Sequence, residues 1–369
     1  MAIGMGNLED LGACLESRQL VGLLEDNKED PTKGLTTMLA THTHISNEKV
    51  IEFDQIAEDG HHGMTPAVGK CYLPPDMPDQ GFFTKEFRPA SYADSWRINN
   101  CDKCPSRVPL EREYTMMDAD QKLMIQRIAA MNIMNARREN RWEYDIAQLI
   151  QHSGYWVRYQ DERGMETERH YVMYPRHEAL NGVAVGTSWD DPNHDIICDL
   201  QQFVDIHSDI ACRDVVAVFL GANVVKCLRQ SKQFDLCGDN NCMSDKMRAP
   251  SFAREMVKPA NDNFEGLRSF GSYENIDYYV YNWKVKGADG KLHHALDPDC
   301  VYTMALRPSQ HAISRMYSRF TTLTDGPVES EVWHREFYER RPDTLEMDDR
   351  YCGMPGMLYD NVFAKWRVK

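Results

Sequence analysis

An α+β fold is predicted for this 369-residue chain, and three stretches predict it. Residues 116–153 contain no Pro or Gly and are rich in Met, Leu, Ala, Gln and Arg, all helix formers. Residues 278–285, Tyr-Tyr-Val-Tyr-Asn-Trp-Lys-Val, have the aromatic and β-branched composition of a half-buried strand. After Asp214, residues 215–220 run apolar without a break, as a core strand does.

From the N-terminus, residues 8–30 are acidic, and Leu20, Val21, Leu23 and Leu24 suit either a short helix or a flexible arm. Residues 64–90 hold Pro66, Gly69, Pro74, Pro75, Pro78 and Gly81, which disfavour regular compact structure and predict a long excursion. Phe82, Phe83 and Phe87 at its end are too apolar for a free loop, so they are expected to pack on something outside it.

Thr115 or Asp118 can cap the following helix, which at 1.5 Å per residue would reach roughly 57 Å by residue 153. Within it Trp142, Ile146, Leu149 and Ile150 recur at the spacing of one buried stripe. The run Arg137-Arg-Glu-Asn-Arg141 breaks that pattern and predicts a solvated or intersubunit stretch. Residues 155–159 and 169–174 suggest a hairpin around Gly164, followed by the run Gly182-Val-Ala-Val-Gly186. Trp189 and the acidic turn Asp190-Asp-Pro192 lead into an amphipathic helix bearing Ile196, Ile197, Leu200, Phe203 and Val204. Gly221 opens a further helix; with one Gly and no Lys-Ser/Thr this is a structural step and not a phosphate cradle. Gly287-Ala-Asp-Gly290 turns the 278–285 strand back through 291–295, and Asp297-Pro-Asp299 turns the chain into a strand at 301–306.

The net charge of −15, from 42 basic and 57 acidic residues, argues against broad nucleic-acid binding, which needs Lys and Arg to displace counterions. No run approaches the ~20 apolar residues of a membrane span, and no basic-then-apolar leader opens the chain. A protein neither membrane-bound nor secreted is expected. Eleven dispersed cysteines, an odd number in a chain able to build a core, predict reduced thiols.

Cys101 and Cys104 form half of a zinc site, but Cys237 and Cys242 are spaced differently and no His pair follows, so two small thiols near a helix start are the reading adopted. Of the paired histidines, only His42 and His44 share a face in extended chain. Asp191, His194 and Asp195 motivate an alternative, a metal-dependent hydrolase. An acidic turn and a helix N-terminus explain the same residues without catalysis.

The block Gly271-Ser-Tyr273, 278–285, 287–290, Asp297-Pro-Asp299, 301–306 and Arg315-Met-Tyr-Ser318 resembles, in order, one near the end of the lambda-type major capsid proteins of tailed bacteriophages, the phage major capsid protein E family. Asn47-Glu-Lys-Val-Ile51 is similar to the family's early strand, Glu86-Phe-Arg-Pro89 to the rising limb of its extended loop, and residues 353–362 to its terminal strand. The matches span roughly residues 35–369.

The resemblance implies the tailed-phage and herpesvirus (Hong Kong ninety-seven-type) major capsid fold. Its parts would be an N-terminal arm and first strand (1–63), an extended loop (64–100), a peripheral domain with the spine helix (101–195), an axial domain (196–306) and a return to the peripheral domain (307–369). It implies self-assembly as hexamers and pentamers of an icosahedral head around double-stranded DNA, without sequence-specific DNA binding, with portal, scaffolding and decoration proteins as partners. The location implied is the virion, and the host cytoplasm during assembly. No catalytic, cofactor or metal residue follows from it, and the chain is expected not to be an enzyme; a phage tube or decoration protein is a further alternative. Phe82, Phe83, Phe87, Arg88, Arg137, Arg138 and Arg141 are the candidate subunit contacts.

Overall fold

A computed structural model describes residues 34–56, 82–99, 119–160, 166–174, 176–184, 186, 188–191, 193–230, 265–273, 276–286, 290–306, 311–322, 326–328, 330–340, 343–357 and 359–369. The acidic leader, most of the Pro/Gly-rich excursion, the two cysteine pairs and the candidate caps Thr115 and Asp118 lie outside these residues.

In chain order the elements are α1 (Gly34–Leu39), β1 (His42–Ser46), β2 (Ile51–Ile56), β3 (Phe82–Phe87), β4 (Ser91–Asn99), α2 (Ala119–His152), β5 (Gly154–Gln160), β6 (Glu166–Val172) and β7 (Asn181–Ala184). There follow α3 (Ile196–Ala211), β8 (Val215–Gly221), α4 (Ala222–Gln230), β9 (Leu267–Tyr273), β10 (Ile276–Tyr281), β11 (Lys284–Lys286), β12 (Leu292–His294) and β13 (Cys300–Ala305). The last are β14 (Ser314–Ser318), β15 (Phe320–Thr322), β16 (Gly326–Val328), β17 (Trp333–Arg340), β18 (Asp343–Gly356) and β19 (Phe363–Arg367).

Two sheets carry the structure. One has six strands in the order β7-β19-β13-β8-β10-β9; β8 runs parallel to β10 and antiparallel to β13. The other is organised by the 14-residue β18, whose end pairs with β14 and whose earlier part lies between β4 and β17; β1 adds beyond β14. β2–β3, β5–β6, β11–β12 and β15–β16 are two-stranded ribbons.

Period-2 alternation sends the side chains of β8 to opposite faces of the six-stranded sheet. Ala217 and Phe219 join Tyr302, Met304 and Phe363 on the face that α2 covers with Ile146, Leu149 and Ile150. Val218 and Leu220 join Val301, Ala364 and Trp366 on the other face, covered by Ile196, Ile197, Leu200 and Phe203 of α3 and by Val224, Val225 and Leu228 of α4. Gly221 fits the structural reading of the β8–α4 step. A β-carbon there would lie 2.3 Å from the carbonyl oxygen of Pro298, which itself accepts from the Asn223 backbone amide.

The helix, the hairpin at β5–β6 and the βα step stand where the sequence predicts them. Three expectations are corrected. The strand expected at 278–285 is two: β10 ends at Tyr281, and β11 belongs to a separate ribbon. Buried Trp283 lies against Gly266, whose carbonyl accepts from the Asn282 amide, and this contact turns the chain. The early strand expected at 47–51 is a joint, residues 47–50 being bends between β1 and β2. The terminal strand is not 353–362 but β19, which lies with β7 in the six-stranded sheet beside strands from the 196–306 stretch.

His207 of α3 is fully buried beneath this sheet. Its Nε2 lies 2.9 Å from the Asn361 carbonyl, which can only accept, so Nε2 carries the proton and Nδ1 accepts from Thr303 Oγ1 at 2.7 Å. Trp366 Nε1 donates to the same hydroxyl. Burial lowers the imidazole pKa from 6.5 to about 4, with the Asn361 carbonyl opposing that shift and Arg176 and Arg213 adding to it. The unfolded chain therefore takes up this proton near pH 6.5 while the fold resists it, so the contribution is present above 6.5 and is lost as pH falls through about 4. Denaturant titrations across that window should show His207→Gln losing about 3 kcal/mol less on acidification than the unmodified chain.

Candidate functional site

α2 lies across the β4–β18–β17 face, and successive helical turns meet successive cross-strand rows. The registers pair Tyr92 with Tyr351, Asp94 with Asp349 and Trp96 with Met347 on β4 and β18, and Asp349 with His334 and Met347 with Glu336 on β18 and β17. The first row is aromatic. Tyr92 stacks on Tyr351 at 5.0 Å, Trp142 stacks on Tyr351 at 6.4 Å, and Trp142 meets Tyr317 edge-on at 5.4 Å. The second is charged: Arg138 Nη1 donates to Asp349 Oδ2 at 3.0 Å, and Arg137 Nη2 lies 2.9 Å from Asp94 Oδ1. The third buries Met347 against Ala130, Met131 and Met134, with Arg127 pairing with Glu336 at its edge.

Where the first two rows adjoin, Arg137, Arg138, Arg141, Asp94, Asp349 and the two tyrosines line a cavity of about 230 Å³. Arg141 lies over the Tyr92 ring at 5.1 Å and grips Asp145 with contacts of 2.7 and 2.9 Å. Burial pushes the Asp145 carboxyl up to about 6, with Arg141 pulling it back. Burial also pushes Asp349 up to about 6, against the pull of Arg138 and with help from Asp94. Burial and then Arg138 lower the His334 pKa to about 3. Its Nδ1 is 3.8 Å from Asp349 Oδ1, and among the described residues neither of these two buried atoms has a hydrogen-bond partner.

The arginine run is thus corrected as a solvated stretch. Arg138 and Glu139 are buried, Glu139 being held by two hydrogen bonds from Arg315, and only Arg137 stands open, with a side chain 66% exposed. Phe87 does pack on something outside the loop, namely the chain's own core. Arg88 is exposed, and its carbonyl accepts from the Tyr171 hydroxyl at 2.7 Å. Phe82 and Phe83 belong to β3, paired in backbone register with Ile56 and Gln55. Tyr92, Asp94, Asp349 and Tyr351 were not among the residues singled out from the sequence. The alternation of Leu345, Met347, Asp349 and Tyr351 was the available signal for a strand with one inward face.

The hydrolase candidates make local contacts around the start of α3. Asp195 caps α3 by accepting from the Cys198 amide, Asp191 accepts from the Asn193 amide, and His194 lies 2.6 Å from Asp199, which also accepts from Trp189 Nε1. His42 and His44 are exposed on β1, with the His42 ring 5.4 Å from that of His311. Among the described residues no group of three or more His, Cys, Asp or Glu could hold a metal ion, and no helix is long and apolar enough to cross a membrane.

No family model and no curated protein matches the chain. Solved structures do match. A prophage protein of Escherichia coli CFT073, assigned as a capsid protein, superposes with a TM-score of 0.67 at 14% identity, over 97% of this chain and 100% of its own. A phage-related protein of Bordetella bronchiseptica RB50 superposes at 0.54 with 8% identity, over 96% and 98%. The chain therefore has a phage-capsid-like fold of mixed α and β content.

Proposed function

We propose that the chain is a shell-forming major capsid subunit of the lambda type, which closes as hexamers and pentamers into an icosahedral head around double-stranded DNA. The observation that carries this reading is the end-to-end likeness to the prophage protein at a TM-score of 0.67. In this reading α2 is the spine helix, β2–β3 is the base of the extended loop, and the elements of residues 196–306 form most of the axial domain. Phe82, Phe83, Arg88 and the open Arg137 meet neighbouring subunits, while Arg138, through Asp349, and Arg141, over the Tyr92 ring, hold the sheet to the spine. The work is mechanical: the helix and sheets form a stiff body, and copies in unequal positions adjust through the segments joining them. A net charge of −15 keeps packaged DNA from adhering to the wall. Portal and scaffolding proteins are the partners, the virion is the location, and assembly takes place in the host cytoplasm.

Negative-stain electron microscopy of the protein, expressed alone and with its genomic neighbours, tests this. Closed or malformed shells built of hexameric and pentameric units are expected. A strictly monomeric or small oligomeric species under both conditions overturns the reading.

A further inference from the structure

Two surface patches of opposite charge lie at opposite ends of the six-stranded sheet. The first is the β11–β12 ribbon. Its register places Lys284 opposite His294 and Lys286 opposite Leu292, so these four share one face, while Val285 turns inward onto the main core. Both lysines are exposed, and Leu292, at 66%, is the most exposed large apolar side chain among the described residues. The second is the outer face of α3 near its C-terminus, where Asp205 and Asp209 flank Ile206, which is 40% exposed. No Lys or Arg occurs between Arg176 and Arg213.

Among the described residues neither patch is answered. Among the described residues no carboxylate pairs with Lys284 or Lys286, and no cationic side chain pairs with Asp205 or Asp209. Two like charges four residues apart at the negative end of a helix weaken that helix by a few tenths of a kcal/mol, so the arrangement has a cost that nothing local offsets. Nor can the patches meet in one molecule. α3 ends just before Val215, where β8 begins, whereas the ribbon follows Tyr281, which pairs with Gly221 where β8 ends. Roughly 20 Å of strand separates the two ends. α3 also covers the sheet face opposite the one on which Val285 and Trp283 pack.

The patches match in spacing as well as in sign. Lysines two apart on a strand stand about 6.6 Å apart, and aspartates four apart on a helix about 6 Å. Each pair adjoins one exposed aliphatic side chain.

We infer that the Lys284/Lys286/Leu292 face of one copy docks on the Asp205/Ile206/Asp209 face of the next, joining identical subunits head to tail. Such a contact between unlike patches generates rings when the rotation closes, which is what a capsomer requires. The inference rests on the shell-subunit reading, and it names the surfaces by which that subunit would recognise itself.

The test is charge exchange in the full chain, read by sedimentation velocity at low and high salt. Lys284→Glu/Lys286→Glu and Asp205→Lys/Asp209→Lys should each weaken self-association at least about tenfold, because like charges then face each other, and the four changes together should restore it. The neutral pair Lys284→Gln/Lys286→Gln should weaken association less and flatten its salt dependence. All the substituted side chains are exposed, so circular dichroism should not change. Reversals that assemble normally, a four-fold variant that fails to recover, or lysine variants that lose only DNA retention each overturn the inference while leaving the shell reading intact. An unmodified chain that never associates overturns both.

Discussion

Glu143→Ala is expected to destabilise the chain by about 3–5 kcal/mol, measured as the loss of unfolding free energy in urea. Glu143 projects from α2 into a site with no solvent exposure. Its Oε1 accepts from the Leu35 amide at 3.1 Å and the Tyr281 hydroxyl at 2.9 Å; its Oε2 accepts from the Thr36 amide at 2.8 Å and the Thr36 hydroxyl at 2.7 Å. All four are donors, so a carboxylate satisfies them without competition. One side chain thereby caps α1, ties it to α2 and pins both to strand β10. Gly34, beside the cap, approaches Leu267 so closely that a β-carbon would lie 2.3 Å from the Leu267 Cβ. Removing the carboxylate strands four buried donors and opens a cavity.

Glu143→Gln separates the polar effect from the cavity. An amide keeps the volume but turns an NH2 group toward two donors, including at least one backbone amide of α1, and should cost about 1–3 kcal/mol. Burial raises the Glu143 pKa, and the four hydrogen bonds oppose that rise. With the folded pKa above that of the unfolded chain, the contribution is complete below the ordinary carboxylate range and declines as pH rises through the folded value. The deficit of the Gln variant should therefore shrink toward higher pH. Equal stability of the Ala variant and the unmodified chain would mean that α1 is not held at this point.

Elements defined by local chemistry were legible in the sequence. α2 needed only the absence of Pro and Gly and a stripe from Trp142 to Ile150, and the turn at Asp297-Pro-Asp299 follows from its residues alone. Features set by distant partners were not. The break between β10 and β11 depends on Gly266, and the sequence of 278–285 reads as strand on both sides of it. The arginine run read as solvated or intersubunit because polarity was taken for exposure, whereas Arg138 is neutralised by a carboxylate 211 residues away. Glu143 sits on the same helical stripe as the apolar residues and offered no local sign of its four partners. The final strand was displaced because the Pro-containing residues 353–356 extend β18 in place of forming β19.

The second large effect lies in the cleft. Arg138→Ala is expected to cost about 3–5 kcal/mol at neutral pH, since it leaves Asp349 as an unpaired charge with only 3% of its side chain exposed. The loss should depend on pH. Burial already pushes Asp349 up to about 6 despite Arg138, and without the guanidinium it rises further, so the variant's carboxyl becomes neutral on mild acidification. Because the folded pKa exceeds the unfolded one, the variant regains stability as pH falls below its folded value and loses it as pH rises. Denaturant titrations should therefore show a larger deficit at pH 8 than at pH 5. Replacing both partners, Arg138→Met with Asp349→Leu, should recover much of the loss, because a buried pair exchanged for packed apolar groups sheds its desolvation cost. A double variant no better than Arg138→Ala would show that the pair itself, and not the stranded carboxylate, holds β18 to the long helix.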